Sequence, residues 1–215
     1  MEFKNKIINV LGDSITFGVG ASSLENSYVG LLKKEYGDCT VNNYGISGTR
    51  IARRREPYTV FPEADQDFLS RIDGMQRNAD LVVVFGGVND YGHGDATLGD
   101  VNDYDPYTFC GALNILFKEL YLQYPEAKFL MMTPLHKIDE DKKNSLGLTL
   151  VDYVEAIKKV AAKYAVPVVD LYSRSGICPV DEDLKLLDTT DGLHPNDKGH
   201  RKIFNLLNNY IKYVL

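Results

Sequence analysis

The sequence predicts an α/β protein built on an open, mostly parallel β-sheet. Short apolar segments alternate with amphipathic helical segments along the chain, an order that is typical of strand–helix–strand units. The clearest strand is the unbroken run Leu-Val-Val-Val-Phe at residues 81–85, which favours a strand covered by helices on both faces. No internal repeat, low-complexity tract or linker interrupts this pattern. We therefore expect a single domain over residues 1–215.

The first half of the chain provides two predicted strands with a helix between them. Residues 7–11 are a short apolar strand that ends at Gly12. A helix follows at residues 26–36, with apolar side chains on one face and Gly37 just past its end, where glycine commonly terminates a helix. Residues 40–44 are a weaker second strand. The unbroken apolar run described above is then the third strand.

The second half of the chain continues the alternation. Its predicted elements, in chain order, are a helix at residues 109–121, a strand at 128–132, a helix at 148–164, a strand at 166–171 and a last helix from Asn196 to the C-terminus. The stretches 51–80 and 91–106 are polar, aromatic and irregular. We expect these two stretches to be loops that decorate the sheet rather than core elements.

Composition and charge exclude several classes of protein. A chain of 215 residues, 44% of them hydrophobic, can bury a core without disulfides or metals. No apolar run approaches the ~18 residues that span a bilayer, and the N-terminus lacks a signal-peptide pattern, so we expect a cytoplasmic protein without membrane insertion. The net charge of −6 argues against a nucleic-acid partner. Three widely spaced cysteines argue against a disulfide framework and a thiolate zinc site.

Polar clusters follow the predicted strands, at the sheet edge where open α/β proteins bind ligands. Gly12-Asp13-Ser14 follows the first strand, residues 43–48 end the second, and residues 86–90 follow the third. Asp191-Gly192-Leu193-His194-Pro195 lies beyond the fifth. Each cluster alone also fits an ordinary turn or helix cap. Their common placement at one edge of the sheet favours a catalytic site.

These clusters contain the groups that acyl transfer at a serine requires: a nucleophile, a base, an orienting group and oxyanion donors. Ser14 follows a strand end, where its hydroxyl can be exposed. His194 can act as the base because imidazole titrates near neutral pH, and Asp191, three residues earlier, can accept its Nδ1 proton. Gly48 can offer an unobstructed backbone N–H. Asn89 can add a side-chain amide, and the backbone N–H of Ser14 completes three donors.

On these motifs the chain resembles the SGNH hydrolases, also called the GDSL esterase/lipase family. The matching segments are Gly12-Asp13-Ser14, Gly48, Gly87-Val88-Asn89-Asp90 and Asp191-Gly192-Leu193-His194, and they extend over most of the chain. Ile15 replaces the leucine of the family's name, an apolar exchange without mechanistic consequence. The Gly-x-Ser-x-Gly motif of α/β-hydrolases is not present in the sequence.

The resemblance implies a fold, a set of roles and an activity. The fold is a three-layer α/β/α sandwich with a flavodoxin-like, five-stranded parallel sheet of order 2-1-3-4-5. Ser14 is the implied nucleophile, His194 the base and Asp191 its partner, while Ser14, Gly48 and Asn89 form the oxyanion hole. The implied activity is that of a serine esterase without a cofactor. That strand order would bring Gly48, Ser14 and Asn89 together.

We expect the substrate to be a small-molecule ester with a short acyl group, such as an acetyl group on a carbohydrate. The reason is that the loops expected to line the pocket look polar and tyrosine-rich, with Tyr91, Tyr104 and Tyr107 at its mouth. The same triad also fits an acyltransferase, a lysophospholipase or a thioesterase. Outside the enzymes, a flavodoxin-like module that binds a phosphate or a flavin stays open, because fold alone does not define function.

A metal site is a weaker alternative. Asp188, Asp191 and His194 offer oxygen and nitrogen ligands, but the one further histidine nearby is His200, which lies on the predicted last helix. We therefore expect no metal. The run Arg53-Arg54-Arg55 is expected to be a solvated loop face, too short to bind nucleic acid.

Overall fold

A five-stranded parallel sheet forms the middle layer of the molecule. The structure is a computed structural model that describes residues 3–59, 61–93 and 95–215. The strands are β1 (Ile7–Gly12), β2 (Thr40–Gly45), β3 (Leu81–Phe85), β4 (Lys128–Met132) and β5 (Val168–Val169). They pair in the order 2-1-3-4-5, and every pairing is parallel. The predicted α/β fold class and strand order are confirmed.

Helices cover both faces of this sheet. Within the described residues they are α1 (Ser14–Phe17), α2 (Tyr28–Glu35), α3 (Phe68–Arg71), α4 (Val88–His93), α5 (Phe109–Gln123), α6 (Leu150–Lys163), α7 (Leu171–Arg174), α8 (Lys185–Asp188) and α9 (Asp197–Val214). The core on one face is built with α2 and α9, and the core on the other with α3, α5 and α6. None of these helices combines the length and hydrophobicity needed to cross a bilayer.

The central strand β3 shows why this sequence forms a buried strand. Val82 and Val84 pack into one core, whereas Val83 and Phe85 pack into the other. Alternate side chains of a strand point to opposite faces, and helices cover both faces here, so both sets must be apolar. All five residues of β3 are buried.

The fifth strand is shorter than predicted. The sequence predicts a strand at residues 166–171, but only Val168–Val169 pairs as one. At one end, the N–H of Val166 donates to Ala161 O at 3.0 Å and so completes the end of α6. At the other end, the Asp170 side chain accepts from Ser173 N and caps α7. Val166 and Asp170 therefore belong to the ends of the flanking helices, although the apolar run predicted them as part of the strand.

Parts of the two predicted loops are core elements, so that prediction is wrong for them. Phe68 on α3, Ile72 and Met75 are buried in the core with α5. Tyr91 on α4 is 6% exposed, and its hydroxyl donates to Lys142 O at 2.7 Å. A helix of one turn has too few residues to show an apolar periodicity, which explains why the sequence pattern missed these elements.

Candidate active site

The ends of three adjacent strands place the polar clusters side by side. Gly12, the last residue of β1, is paired with Gly45 of β2 and with Phe85 of β3. A Cβ atom at Gly12 would lie 2.0 Å from Thr16 Oγ1 and 2.9 Å from the Phe85 carbonyl oxygen. Only glycine therefore lets the chain turn this tightly from β1 into α1.

Ser14 is the first residue of α1, and its hydroxyl faces a histidine from the far end of the chain. Asp13 caps α1, because its Oδ1 accepts from Ile15 N at 3.0 Å. This cap holds Ser14 directly beyond the strand, where it is 8% exposed. Ser14 Oγ lies 3.0 Å from His194 Nε2.

The candidate base, His194, lies on a loop, residues 189–195, that is stabilised mainly by its own hydrogen bonds. Thr190 N donates to His194 O at 2.8 Å, which closes the loop. His194 Nδ1 lies 2.7 Å from Asp191 Oδ2, and Asp191 Oδ1 accepts from His194 N at 2.7 Å and from Leu193 N at 2.9 Å. Partial burial raises the pKa of Asp191, but the hydrogen bonds from His194 and Leu193 outweigh it and hold the pKa below its usual value. Asp191 is thus a carboxylate at neutral pH.

This carboxylate determines how the imidazole is used. A neutral imidazole carries one N–H, and Asp191 is an acceptor for it at Nδ1. Nε2 then carries the lone pair and accepts from the Ser14 hydroxyl. The three side chains therefore form a continuous path along which the serine proton can move to the histidine.

A tight turn brings Gly48 to the cleft that His194 lines, and α4 brings Asn89 to it. Thr49 N donates to Ile46 O at 3.4 Å, and Gly48, the third residue of the turn, has φ +77°, which favours glycine. The Asn89 side-chain amide donates to Thr49 O at 2.9 Å. Since that amide has two hydrogens, one remains available to a ligand. Ser14, Gly48 and Asn89 all line one cleft.

Two buried aspartates support this side of the site. Asp13 is 1% exposed and Asp90 is 0% exposed. Asp90 accepts from Ile51 N at 3.1 Å and from Ala52 N at 2.9 Å, and so holds the segment after the turn. Burial raises the pKa of each carboxyl to about 6, against the lowering effect of these hydrogen bonds and of nearby positive charge.

The cleft has a volume of about 640 Å³ and is more apolar than the sequence predicts. Its lining consists of Ser14, Phe17, Val19, Gly45, Ile46, Ser47, Gly48, Tyr58, Phe61, Glu63, Ala64, Asn89, His93, Leu193 and His194. The expected tyrosines, Tyr91, Tyr104 and Tyr107, are not among them. Tyr58 and the exposed side chains of Phe17 and Phe61 provide the aromatic surface instead. The sequence was misleading here because the position of a loop residue in the chain does not determine which surface its side chain faces in the folded protein.

The alternative ligand set does not form a metal cluster. Asp188 accepts from Lys202 Nζ at 2.6 Å, while Asp191 and His194 bond to each other. Across residues 3–59, 61–93 and 95–215, no group of three or more His, Cys, Asp or Glu side chains is placed to hold a metal ion. The run Arg53-Arg54-Arg55 forms ion pairs with Asp67, Asp65 and Asp105 at 3.4, 3.7 and 3.4 Å.

Arg71 is a residue of the site region that the sequence analysis missed. It lies on α3, in the stretch expected to be a loop, and no motif marks it. Its guanidinium donates to Tyr44 O at 2.6 Å, to Gly12 O at 3.1 Å and to Thr49 Oγ1 at 3.0 Å. Burial lowers the pKa of Arg71 to about 10, so the group is positively charged at neutral pH.

Comparisons with known proteins agree with this geometry. The model of the GDSL-like lipase/acylhydrolase family matches residues 10–202. No curated protein matches the chain. A solved structure from Lactobacillus plantarum is 32% identical, with a TM-score of 0.84, and the match covers 98% of each chain. A possible lipase from Chitinophaga pinensis is 22% identical, with a TM-score of 0.74 and coverage of 97% of this chain and 98% of that one. A proposed arylesterase from Agrobacterium tumefaciens is 20% identical, with a TM-score of 0.70 and coverage of 98% and 100%.

The family match extends from β1 into α9 and includes every residue assigned to the candidate site. The structures below 25% identity support the fold, and the family match supports an esterase- or lipase-type hydrolase. The resemblance seen in the sequence motifs is confirmed. The chain belongs to the GDSL-like lipase/acylhydrolase family.

Proposed function

We propose that this protein is a serine carboxylic ester hydrolase that works through an acyl-enzyme. One observation carries the proposal: Asp191, His194 and Ser14 form an unbroken hydrogen-bonded series, with 2.7 Å between Asp191 Oδ2 and His194 Nδ1 and 3.0 Å between His194 Nε2 and Ser14 Oγ. A phosphate- or flavin-binding module does not need such a series. Nucleophile and base within hydrogen-bond reach, with the base oriented by a third group, is the arrangement that activates a serine.

In the proposed reaction, Ser14 Oγ attacks the ester carbonyl carbon while His194 Nε2 takes the hydroxyl proton. Asp191 accepts from Nδ1 and stabilises the imidazolium that results. The tetrahedral intermediate expels the alcohol as His194 returns the proton to its oxygen. Water, activated by His194, then attacks the acyl-enzyme, and the free acid leaves as Ser14 regains its proton.

The oxyanion of each tetrahedral intermediate is assigned to three donors: the backbone N–H groups of Ser14 and Gly48 and the free hydrogen of the Asn89 amide. The bond between Asn89 and Thr49 O fixes the amide before a substrate arrives. Donors fixed in advance stabilise developing charge without reorganising during the reaction.

For the substrate we propose an uncharged ester with a short or medium-length apolar acyl or aryl group. The expected acetyl ester of a carbohydrate loses its main support, because the cleft lining is largely apolar and not polar. Glu63 adds a negative charge to the cleft. Arg54, which lies over the Tyr58 ring, and Arg50 add positive charge beside His93 of the same cleft, so the proposal of an uncharged ester depends on the apolar lining and not on a net charge.

The test combines covalent labelling with a panel of p-nitrophenyl esters from acetate to octanoate, together with acetylated sugars. We expect a fluorophosphonate to modify Ser14, and Ser14→Ala to lower kcat by at least about 10⁴-fold. Ser23→Ala is the matched control, because Ser23 is exposed and its side chain makes no cap bond. Labelling of another serine, or full activity in folded Ser14→Ala, would disprove the assignment. A yellow protein without esterase activity would favour a flavin-binding module.

A further inference from the structure

One arginine contacts the chain segments that carry Ser14 and Gly48, and it reaches Asn89 through Thr49. Arg71 is on α3, and it does not line the cleft. One terminal nitrogen, Nη1, donates to the carbonyl oxygens of Gly12 and Tyr44, at the ends of β1 and β2. The other, Nη2, donates to Thr49 Oγ1 at 3.0 Å. The planar guanidinium holds several donors in fixed directions, so these contacts set the distances between the segments.

Thr49 connects Arg71 to the Gly48 turn and to the Asn89 amide through hydrogen bonds. The residue is 1% exposed. Its hydroxyl accepts from Arg71 and donates to Ile46 O at 2.7 Å, across the turn that contains Gly48. Its carbonyl oxygen accepts the Asn89 amide at 2.9 Å. Arg71 is therefore one hydrogen-bonded residue away from both the Gly48 turn and the Asn89 amide.

The Arg71 side chain is itself fixed by contacts with Asp67 and Phe68. Its Nε donates to Asp67 O at 3.4 Å, and its guanidinium lies over the Phe68 ring, 4.7 Å from the ring centroid. Phe68 packs so closely on Gly86, at the end of β3, that a Cβ atom there would lie 2.6 Å from the ring. The helix turn that carries Arg71 thus also touches the strand end that leads to Asn89.

We propose that Arg71 is a positioning residue for the oxyanion hole. This inference rests on the proposed esterase function. In it, Arg71 fixes the Gly48 N–H and the Asn89 amide relative to Ser14 without touching the substrate. The donors contribute most when charge has developed on the carbonyl oxygen. Loss of Arg71 therefore slows turnover and leaves ground-state binding nearly as it was.

The first test compares Arg71→Met with Arg77→Met in kinetics on a short p-nitrophenyl ester. We expect Arg71→Met to lower kcat by about 10- to 100-fold, less than loss of a donor, which costs about 10²–10³, with KM changed by no more than about twofold. The rate of fluorophosphonate labelling should fall in parallel. Arg71→Lys should restore part of kcat, because an ammonium can reach some of the same oxygens. Arg77 is exposed and pairs with exposed Asp73, so its variant is the control.

A second variant keeps the proposal testable if Arg71→Met does not fold. Thr49→Val keeps the shape of the side chain but removes the hydroxyl that Arg71 contacts, and it should lower kcat in the same way. Where both single variants fold, the double variant should lose less than the product of the two losses, because the residues act through one contact.

Two results would overturn the positioning role. One is wild-type kcat in folded Arg71→Met or folded Thr49→Val. The other is a raised KM with unchanged kcat, which would assign Arg71 to substrate binding. A wild-type protein without hydrolysis that depends on Ser14 would instead refute the proposed function, so the two failures are distinguishable.

Discussion

The two halves of the candidate site are held in different ways. The oxyanion side is part of the core: Thr49 is 1% exposed, Asp13 is 1% exposed and Asp90 is fully buried. The base side is a surface loop, in which the Asp191 side chain is 52% exposed and that of His194 is 20% exposed. The first depends on contacts between residues far apart in the chain, the second mainly on bonds within residues 189–195.

This difference decides whether a substitution in one half of the site changes the stability of the protein as well as its activity. Removing a polar group from the buried side leaves its partners without hydrogen bonds, which costs about 1–3 kcal/mol for each buried group. The exposed loop can rebond to water at little cost. Variants of the base side should therefore lose activity alone, and variants of the oxyanion side should lose both.

The largest effect is expected for Asp191→Asn. The Asn Nδ2 group donates toward His194 Nδ1, so the imidazole must carry its proton on Nε2 and no longer accepts from Ser14. In a serine protease triad this wrong tautomer costs about 10⁴-fold in kcat, and we expect a loss of that order here. The midpoint of urea unfolding should stay close to that of the wild type.

The kinetic and unfolding measurements are made on the same preparation. Glu182→Gln is a suitable control, since Glu182 is an exposed carboxylate that pairs weakly with Lys185 at 3.4 Å. A kcat within tenfold of wild type in Asp191→Asn would mean that Asp191 does not orient the base. A large loss of stability would contradict the contrast between the two halves.

A smaller kinetic effect, with a stability cost, is expected for Asn89→Ala. It removes one proposed oxyanion donor, and loss of such a donor typically lowers kcat by about 10²–10³-fold, while KM should stay nearly unchanged. It also leaves Thr49 O without its amide donor, so the free energy of unfolding should fall by about 1–3 kcal/mol.

Steady-state kinetics and urea unfolding together check this prediction, and Asn89→Ala should still accept the fluorophosphonate label, more slowly. If the folded variant keeps wild-type kcat, Asn89 only ties α4 to the Gly48 turn. If kcat falls without any loss of stability, the coupling of stability and catalysis on this side is absent.

A pH-dependent effect on stability is expected for Asp13→Asn, which removes the charge of this buried residue but keeps a polar group in its place. The pKa of Asp13 in the folded protein, about 6, lies above the ordinary value of 3.8. The folded state therefore binds more protons than the unfolded chain between these pH values, and stability falls as pH rises through them. The difference is on the order of 3 kcal/mol. Asparagine keeps an acceptor for Ile15 N but cannot ionise. The free energy of unfolding of the variant should therefore rise relative to that of the wild type between about pH 4 and about pH 6, and the difference should stay constant at higher pH.

Urea unfolding of both proteins at pH 4, 5, 6 and 7 measures that difference directly. Asp73→Asn serves as the control, because Asp73 has a 93% exposed side chain. A difference between Asp13→Asn and wild type that does not change with pH would mean that Asp13 is ionised in the folded protein as readily as in the unfolded chain.

No effect is expected from removing divalent metal ions. Besides the substrate and water, the proposed reaction uses only side chains and backbone N–H groups, and the described residues contain no cluster of metal-ligating side chains. Hydrolysis after dialysis against EDTA should equal that of the untreated protein. A loss that a divalent ion restores would show that the exposed half of the site binds a metal through Asp191 and His194.

The sequence predicted the parts of the molecule that depend on neighbours in the chain. The strands Leu81–Phe85 and Lys128–Met132 have the predicted bounds. Asn196, predicted as the start of the last helix, is the N-cap of α9 and accepts from Lys198 N and Gly199 N. The pair Asp191 and His194 lies within one short loop. In each case a few consecutive residues contain the whole signal.

What the sequence by itself determined is the order of the five strands and the four longer helices and the residue types at the strand ends, because periodicity and turn chemistry act over a few residues. Only the tertiary structure decided that Arg71 reaches Gly12, that Asp13 and Asp90 are buried, and that the cleft has an apolar lining. Those features depend on which distant segments pack against one another. The contact between Ser14 and His194 spans 180 residues, and only the folded sheet brings the two together.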